Sequence, residues 1–181
     1  NLVSFLLGSN LCDVKIAVCV KQVPDSWAEK KMAGSVLDRA NVDAVLNDLD
    51  EYAIEEALKI VEANGEGHTV TLISMGPERA TEALRKGLSM GADDAILISD
   101  PALAGADALA TSLVLSKAIA GSGFDLIICG AESTDARMSV VPSMLAQRLQ
   151  IAQLTCASKV SISGDKVCIE RTIESGIESR S

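Results

Sequence analysis

The stretch at residues 124–141, FDLIICGAESTDARMSVV, constrains the fold more than any other part of the chain. Residues 126–129 form a short apolar run that ends at Gly130, which is typical of a central parallel strand covered on both faces. Gly130 is expected to let the backbone turn sharply into a polar loop, and a helix is predicted from Val141. In an open α/β sheet, ligands bind where a strand ends and the next helix begins, and free helix N–H groups favour phosphate. We therefore expect the main binding site here.

Apolar runs alternate with amphipathic patterns along the rest of the chain. Strands are predicted at residues 15–20, 68–75, 95–99 and 126–129. Helices are predicted at residues 51–64, 78–90, 107–120 and 141–149. A spacing of roughly 25 to 30 residues per unit indicates an α/β fold with a doubly wound, mostly parallel sheet and helices on both faces. Residues 153–162 and 166–171 flank a turn and predict a hairpin at the edge of that sheet.

The sequence also allows predictions for a segment and a few single residues outside this alternation. Residues 26–45 lack a clear period, so we predict a long excursion that contains a small hairpin. Trp27 lies in this excursion, where a packing or interface role is expected rather than stacking on a ligand. His68 begins a predicted strand and is expected at the surface or the sheet edge. Glu55 and Glu56 are expected to be solvated on a helix.

Composition argues against two kinds of partner. Aromatic residues make up only 2% of the chain and the formal net charge is −9, whereas nucleic-acid surfaces need basic faces and stacking rings. No apolar run approaches the roughly 18 residues that span a bilayer, so we predict no membrane insertion. Residues 1–14 begin without Met and lack a basic start, so they make a poor signal peptide. We interpret them as a non-native extension outside the fold and place a single domain at residues 15–181.

Catalytic and metal-binding groups are scarce. His68 is the only histidine, so the sequence offers little support for a catalytic triad or for acid–base catalysis by histidine. Neither GxxxxGK[ST] nor GxGxxG occurs, and the five cysteines have no metal-ligand spacing. We expect Cys19, Cys129 and Cys168 to be small buried hydrophobes in a reducing compartment, and we predict a protein that is not an enzyme.

A series of blocks occurs in the order of one known family. They are KIAVCVKQVPD, NDLDEYAIEEAL, TLISMGPERATEALRKGLSMGADDAILISD, GADALATS, FDLIICGAESTD and VCIERTIESGIES. Through them, residues 15–178 resemble the beta subunit of electron transfer flavoprotein. Members of that family continue through a further strand, a loop that docks the dehydrogenase and an arm that grips the alpha subunit, so we expect this C-terminal part to be absent.

The resemblance implies a Rossmann-like fold, a structural AMP, and an alpha subunit that holds most of the FAD. It also implies electron transfer from acyl-CoA and related dehydrogenases, in the bacterial cytoplasm or in the mitochondrial matrix of a eukaryote. Carried over by position, the implied cofactor-binding residues are Cys19, Asn47, Asp48, Leu49, Asp50, Met75, Gly130, Ala131, Glu132, Ser133, Thr134, Asp135, Arg137, Ser139, Val140 and Val141. Two simpler interpretations stay open: Cys19 and Met75 as core residues, and Asn47 or Asp50 as a helix cap.

The chain departs from the family pattern at two places. Where the family has STDG followed by a run such as DTGQV, this chain has STDARMSVV, so Arg137 would pair with phosphate while Val140 offers no hydrogen bond. Residues 174–178 read ESGIE instead of EGGYE. Two alternatives stay open: an ATP- or AMP-binding sensor of the universal stress protein type, of whose glycine-rich loop only Gly130 is in place, and a bifurcating relative with a second FAD.

Overall fold

The computed structural model describes residues 2–6, 13–29 and 31–181. The strands in chain order are β1 (Leu2–Leu6), β2 (Lys15–Cys19), β3 (Gln22–Pro24), β4 (Met32–Ala33), β5 (Val36–Leu37), β6 (Ala44–Leu46), β7 (Thr69–Met75), β8 (Asp94–Ile98), β9 (Leu126–Gly130), β10 (Gln153–Ala157), β11 (Lys159–Ser163), β12 (Lys166–Ile173) and β13 (Gly176–Arg180). The α-helices are α1 (Asp48–Asn64), α2 (Thr81–Ser89), α3 (Ala108–Ile119) and α4 (Val141–Leu149). Short 3-10 turns occur at Glu78–Ala80 and Pro101–Leu103.

The main sheet has the strand order β10-β1-β9-β2-β7-β8, and its strands β9, β2, β7 and β8 run parallel. One apolar cluster joins the sheet to α1 and α2, and a second joins its other face to α3 and α4. The predicted doubly wound α/β fold with helices on both faces is therefore confirmed. Cys19 at the end of β2 lies opposite Ile73 and Cys129, so the carboxyl ends of three strands meet at one edge.

The buried pattern of each element explains why it forms. All five residues of β9 are buried, as expected of a strand covered on both faces, so no polar alternation marks it in the sequence. In α1, Ala53, Ile54 and Ala57 recur at the helical spacing and face the core. Within the described residues, no helix combines the length and apolar character required to cross a membrane.

The prediction that residues 1–14 lie outside the fold is wrong for strand β1, which is part of the main sheet. Leu2–Leu6 pairs antiparallel with β9 on one side and with β10 on the other. Leu2 packs into the first apolar cluster, whereas Val3 and Phe5 pack into the second. A strand with apolar side chains on both faces belongs inside a sheet. The lack of Met and of a basic start in residues 1–14 gives no information about this pairing. Residues 1 and 7–12, including Cys12, lie outside the described residues.

The C-terminal region is also organised differently from the prediction. Residues 153–162 form two strands that separate at Ser158, and only β10 belongs to the main sheet. The predicted hairpin exists as β11 and β12, but these strands join β13 in a separate three-stranded antiparallel sheet. Val160, Val167 and Ile169 of this small sheet pack into the first apolar cluster.

Two polar side chains that were expected in solvent are buried instead. His68 accepts a hydrogen bond at Nδ1 from the backbone N–H of Val14, at 3.0 Å. Glu56 on α1 accepts the backbone N–H of Val160 at 3.0 Å and the Lys59 Nζ at 2.9 Å. Both contacts satisfy backbone donors that distant parts of the chain bring to these sites.

The excursion after β2 contains the predicted small hairpin, formed by β4 and β5. Strands β3 and β6 pair antiparallel at its base. Trp27 is 95% exposed, so its predicted packing role is wrong within this chain, and its interface role stays a prediction.

We expect Glu56→Ala to lower the free energy of unfolding by about 1–3 kcal/mol, because it leaves the buried Val160 N–H without an acceptor. Urea denaturation followed by far-UV circular dichroism measures this loss. Glu55→Ala is the matched control one position earlier, with a side chain that is 55% exposed. It should change stability by less than about 0.5 kcal/mol. Equal losses in both variants would contradict the role of Glu56.

Candidate functional site

Asn47 joins the beginning of α1 to the loop that follows β9. Its Nδ2 donates to the carbonyl oxygen of Glu132, and its Oδ1 accepts the backbone N–H of Thr134, both at 3.0 Å. The side chain is buried and makes no capping bond to α1, although Asn47 does precede the helix. The Asn47 amide therefore fixes the backbone of the loop after β9. The expected side-chain cap of α1 by Asn47 is not formed.

Gly130 ends β9 where the start of α1 comes closest to the sheet. A Cβ at this position would collide with Oδ1 of Asp50 and would lie 3.0 Å from the carbonyl carbon of Leu49. The φ angle of Gly130 is not in the left-handed region, so close approach, rather than backbone freedom, requires glycine here.

Asp50 is buried beneath this contact. Its Oδ2 accepts the backbone N–H of Lys21 at 2.8 Å, which ties α1 to the segment that leaves β2. Burial raises the pKa of Asp50 to about 7, and hydrogen bonding from the Asn47 side chain and the Lys21 backbone opposes this rise only in part. Asp50 therefore supports the site from the buried layer beneath it and is not exposed at its surface.

Asp135 is the charge centre of the loop, with a side chain that is only 2% exposed. Lys21 Nζ lies 2.8 Å from its Oδ1, and Arg39 Nη1 pairs with its Oδ2. Lys21 also donates to Ser133 Oγ at 3.2 Å. Burial on its own would raise the pKa of Asp135, but the hydrogen bonds from Lys21, Ser133 and Arg39 outweigh it and hold the pKa well below its usual value. Asp135 is therefore a carboxylate paired with two cations.

A cavity of about 210 Å³ opens between the excursion and this loop. Four of its lining residues are predicted site residues, namely Asp48, Thr134, Asp135 and Arg137. The other three are Pro24, Ser26 and Leu37, which the excursion and the strand before it supply. The cavity combines two carboxylates, two hydroxyls and a guanidinium with a small apolar wall, as expected of a site for a polar ligand.

The remaining predicted residues do not line this cavity. Asn47, Leu49, Asp50 and Gly130 form the layer beneath the loop, as described above. Cys19, Met75 and Val141 pack partly buried against the second apolar cluster, which agrees with the core interpretation of the first two. The other members belong to the loop itself and to the start of α4: Ala131, Glu132, Ser133, Ser139 and Val140. Of the three cysteines expected to be buried, only Cys129 is, since Cys19 and Cys168 are half-buried.

The second half of the loop holds an unusual backbone. Arg137 and Ser139 have φ angles of 50° and 55°, in the left-handed region that non-glycine residues seldom adopt. Ser139 Oγ donates to the Glu132 carboxylate at 2.7 Å, and the Arg137 backbone N–H donates to the Ser133 carbonyl oxygen at 2.9 Å. These bonds fold the loop back on itself beside the cavity.

Sequence reasoning missed Lys21 and Arg39. Lys21 lies within the block KQVPD, but nothing in that block indicates that its side chain reaches the loop after β9. Arg39 contacts Asp135 across 96 positions of sequence. A local pattern carries no signal for contacts of this separation.

These features define a class: a doubly wound α/β domain with a polar, loop-lined cavity at the carboxyl ends of its parallel strands. The sequence model of the electron transfer flavoprotein domain family matches residues 34–181, and the chain belongs to this family. The resemblance found in the sequence is confirmed.

Curated relatives agree with this assignment. The electron transfer flavoprotein subunit beta of Mycobacterium tuberculosis is 45% identical over 168 residues, which cover 90% of this chain and 63% of the relative. The protein of that name from Thermoanaerobacterium thermosaccharolyticum is 43% identical, with 91% of this chain and 63% of the relative covered. The acryloyl-CoA reductase electron transfer subunit gamma of Anaerotignum propionicum is 39% identical, with 90% and 62% covered. The chain thus spans less than two thirds of the length of these relatives.

We expect Gly130→Ala to destabilise the fold by about 1–3 kcal/mol, because the added methyl group meets Asp50 and the Leu49 backbone. Thermal and urea denaturation measure the loss. Gly76→Ala is the control directly after β7, where the added Cβ would meet only Ala80 Cβ, at 3.2 Å. A Gly130→Ala protein as stable as the Gly76→Ala protein would show that the close approach is unimportant.

The raised pKa of Asp50 predicts a pH-dependent stability. In the unfolded chain an aspartate has a pKa of about 3.9, whereas the pKa of Asp50 in the folded chain is about 7. Between these values the folded state keeps a proton that the unfolded state has lost, so this contribution to stability is full below about pH 4 and falls as pH rises towards 7. The advantage of wild type over Asp50→Asn should therefore shrink across this window. Urea titrations from pH 4.5 to 7.5 measure it, and a constant or growing difference would refute the assignment.

Proposed function

We propose that this chain functions as an electron transfer flavoprotein beta subunit that binds AMP as a structural nucleotide. The observation that carries the proposal is the cavity beside the 130–140 loop, which offers both phosphate-binding and ribose-binding groups. The names of the related proteins support the same function.

The residues of the cavity fit part of a nucleotide. Arg137 has guanidinium donors suited to a phosphate, the hydroxyls of Ser26 and Thr134 add weaker donors, and Asp48 can accept ribose hydroxyls. A volume of about 210 Å³ is below the roughly 300–1,000 Å³ of pockets that enclose a whole drug-sized ligand. We therefore assign the ribose phosphate to the cavity and place the base outside it.

The electron carrier in this proposal is an FAD held chiefly by an alpha subunit. The chain pairs with that subunit and provides a rigid scaffold, while acyl-CoA and related dehydrogenases supply the electrons. In this proposal the chain itself catalyses no reaction. Its free thiols are consistent with a reducing compartment such as the bacterial cytoplasm. A role for bound AMP in stabilising this scaffold follows from ligand linkage, since a ligand that binds only the folded state stabilises it.

Acid denaturation of the purified protein, followed by mass spectrometry of the released small molecules, tests the nucleotide. We expect AMP at close to one equivalent per chain. Released FAD would replace the proposal with the bifurcating relative, and ATP would replace it with the nucleotide sensor. A chain that carries no nucleotide and takes up no added AMP would overturn the AMP assignment.

Co-expression with a flavin-containing alpha subunit tests the partner. We expect the two chains to co-purify with bound FAD, which visible absorbance detects. Purification of the full-length protein without any flavoprotein partner would refute the electron-transfer role.

A further inference from the structure

The excursion at residues 26–45 forms the outer wall of the cavity. Ser26 and Leu37 line the cavity opposite Thr134, Asp135 and Arg137. None of the cofactor-binding residues implied by the family resemblance lies in this segment. Without the segment, however, the cavity would be an open surface beside the loop.

Arg79 fixes the far end of this excursion to the body of the domain. Its Nη1 donates to the carbonyl oxygens of Arg39 at 2.8 Å and Ala40 at 2.9 Å, and its Nη2 donates to that of Val42 at 3.1 Å. The carbonyl oxygen of Arg79 in turn accepts from Gln22 Nε2 at 3.0 Å. Three bonds from one guanidinium hold the Arg39 backbone in a set position.

From this position the Arg39 side chain reaches the buried carboxylate of Asp135, which Lys21 also contacts. Two cations therefore share one carboxylate, and the cluster keeps a net positive charge in a chain whose formal net charge is −9. The Arg39 and Lys21 side chains remain 48% and 40% exposed, so they are open to a ligand from solvent.

Both cations keep donors that no group among the described residues accepts. Lys21 Nζ has three N–H donors, and contacts to Asp135 and Ser133 occupy two of them. The guanidinium of Arg39 has five donors and bonds Asp135 through Nη1. Asp135 thus orients two long side chains before a ligand arrives, which lowers the entropy lost on binding.

We propose that Arg39, together with Lys21, recognises the phosphate group of the nucleotide at the rim of the cavity, with Asp135 as the residue that positions both cations. This inference rests on the proposed function, since it names the residues that distinguish a nucleotide from its nucleoside. Arg39 is then a specificity-determining residue supplied by the excursion, while Arg137 contacts the same group from the loop.

The test compares AMP with adenosine, because only AMP carries the phosphate. Isothermal titration calorimetry on the nucleotide-free protein measures both affinities for wild type, Arg39→Ala, Arg39→Lys and Arg85→Ala. Arg85 is the control, an exposed arginine on α2. We expect Arg39→Ala to weaken AMP binding about 10-fold or more, as for a lost hydrogen bond between charged groups, and adenosine binding less than about 2-fold. Arg39→Lys should fall between wild type and Arg39→Ala, and Arg85→Ala should match wild type.

The outcomes separate this inference from the proposed function. If wild type binds neither AMP nor adenosine, the nucleotide-binding function itself fails. If wild type binds AMP but Arg39→Ala binds it equally well, or loses AMP and adenosine to the same extent, the phosphate role of Arg39 is wrong while the proposed function stands. Thermal melting checks the fold of each variant, and Arg39→Gln, which keeps the length of the side chain, replaces Arg39→Ala if that variant unfolds.

Discussion

The structure depends on the contact between the start of α1 and the end of β9. Gly130 has no side chain, so the backbone of Leu49 and the carboxylate of Asp50 can approach the strand end. Asn47 then binds the loop after β9 through both ends of its amide, and Asp50 accepts the N–H of Lys21 after β2. One helix start thereby joins two strand ends and sets the shape of the loop between β9 and α4. Each of these polar groups is buried and bonded, so changing one leaves its partner unsatisfied.

Charge is arranged on top of this framework. An acidic chain repels a phosphate at long range, so a phosphate site needs cations concentrated at one place. Asp135 gathers Lys21 and Arg39 from two segments that are 114 and 96 positions away from it in sequence. Because the carboxylate is buried and the cations are exposed, the negative charge lies inside and the positive charge faces the solvent. The same ion pairs that lower the pKa of Asp135 therefore also leave a net positive charge that faces the solvent.

Sequence reasoning predicted those parts of the structure that are recorded in local patterns. The alternation of apolar runs and helical stripes gave the parallel sheet, its covering helices and the position of the loop after β9. It failed wherever a residue's environment comes from a distant part of the chain. His68 and Glu56 have ordinary local contexts, but Val14 and Val160 bring buried N–H groups to them from 54 and 104 positions away. Leu2–Leu6 lies outside the family blocks and has no features of a signal peptide, so the sequence alone places it outside the fold, although its burial is decided by β9 and β10.

The second half of the loop after β9 holds a backbone that its own residues do not favour. Arg137 and Ser139 adopt left-handed backbone angles, which cost a non-glycine residue of the order of 1–3 kcal/mol each. Such angles persist only where the surroundings impose them, and here Asn47 holds the first half of the loop while Glu132 binds Ser139 in the second. This chain therefore makes with Arg137 and Ser139 a turn that glycine would form at lower cost. The contacts of Asn47 and Glu132 therefore hold the loop in a path that its own residues do not favour, and this path places Arg137 beside the cavity.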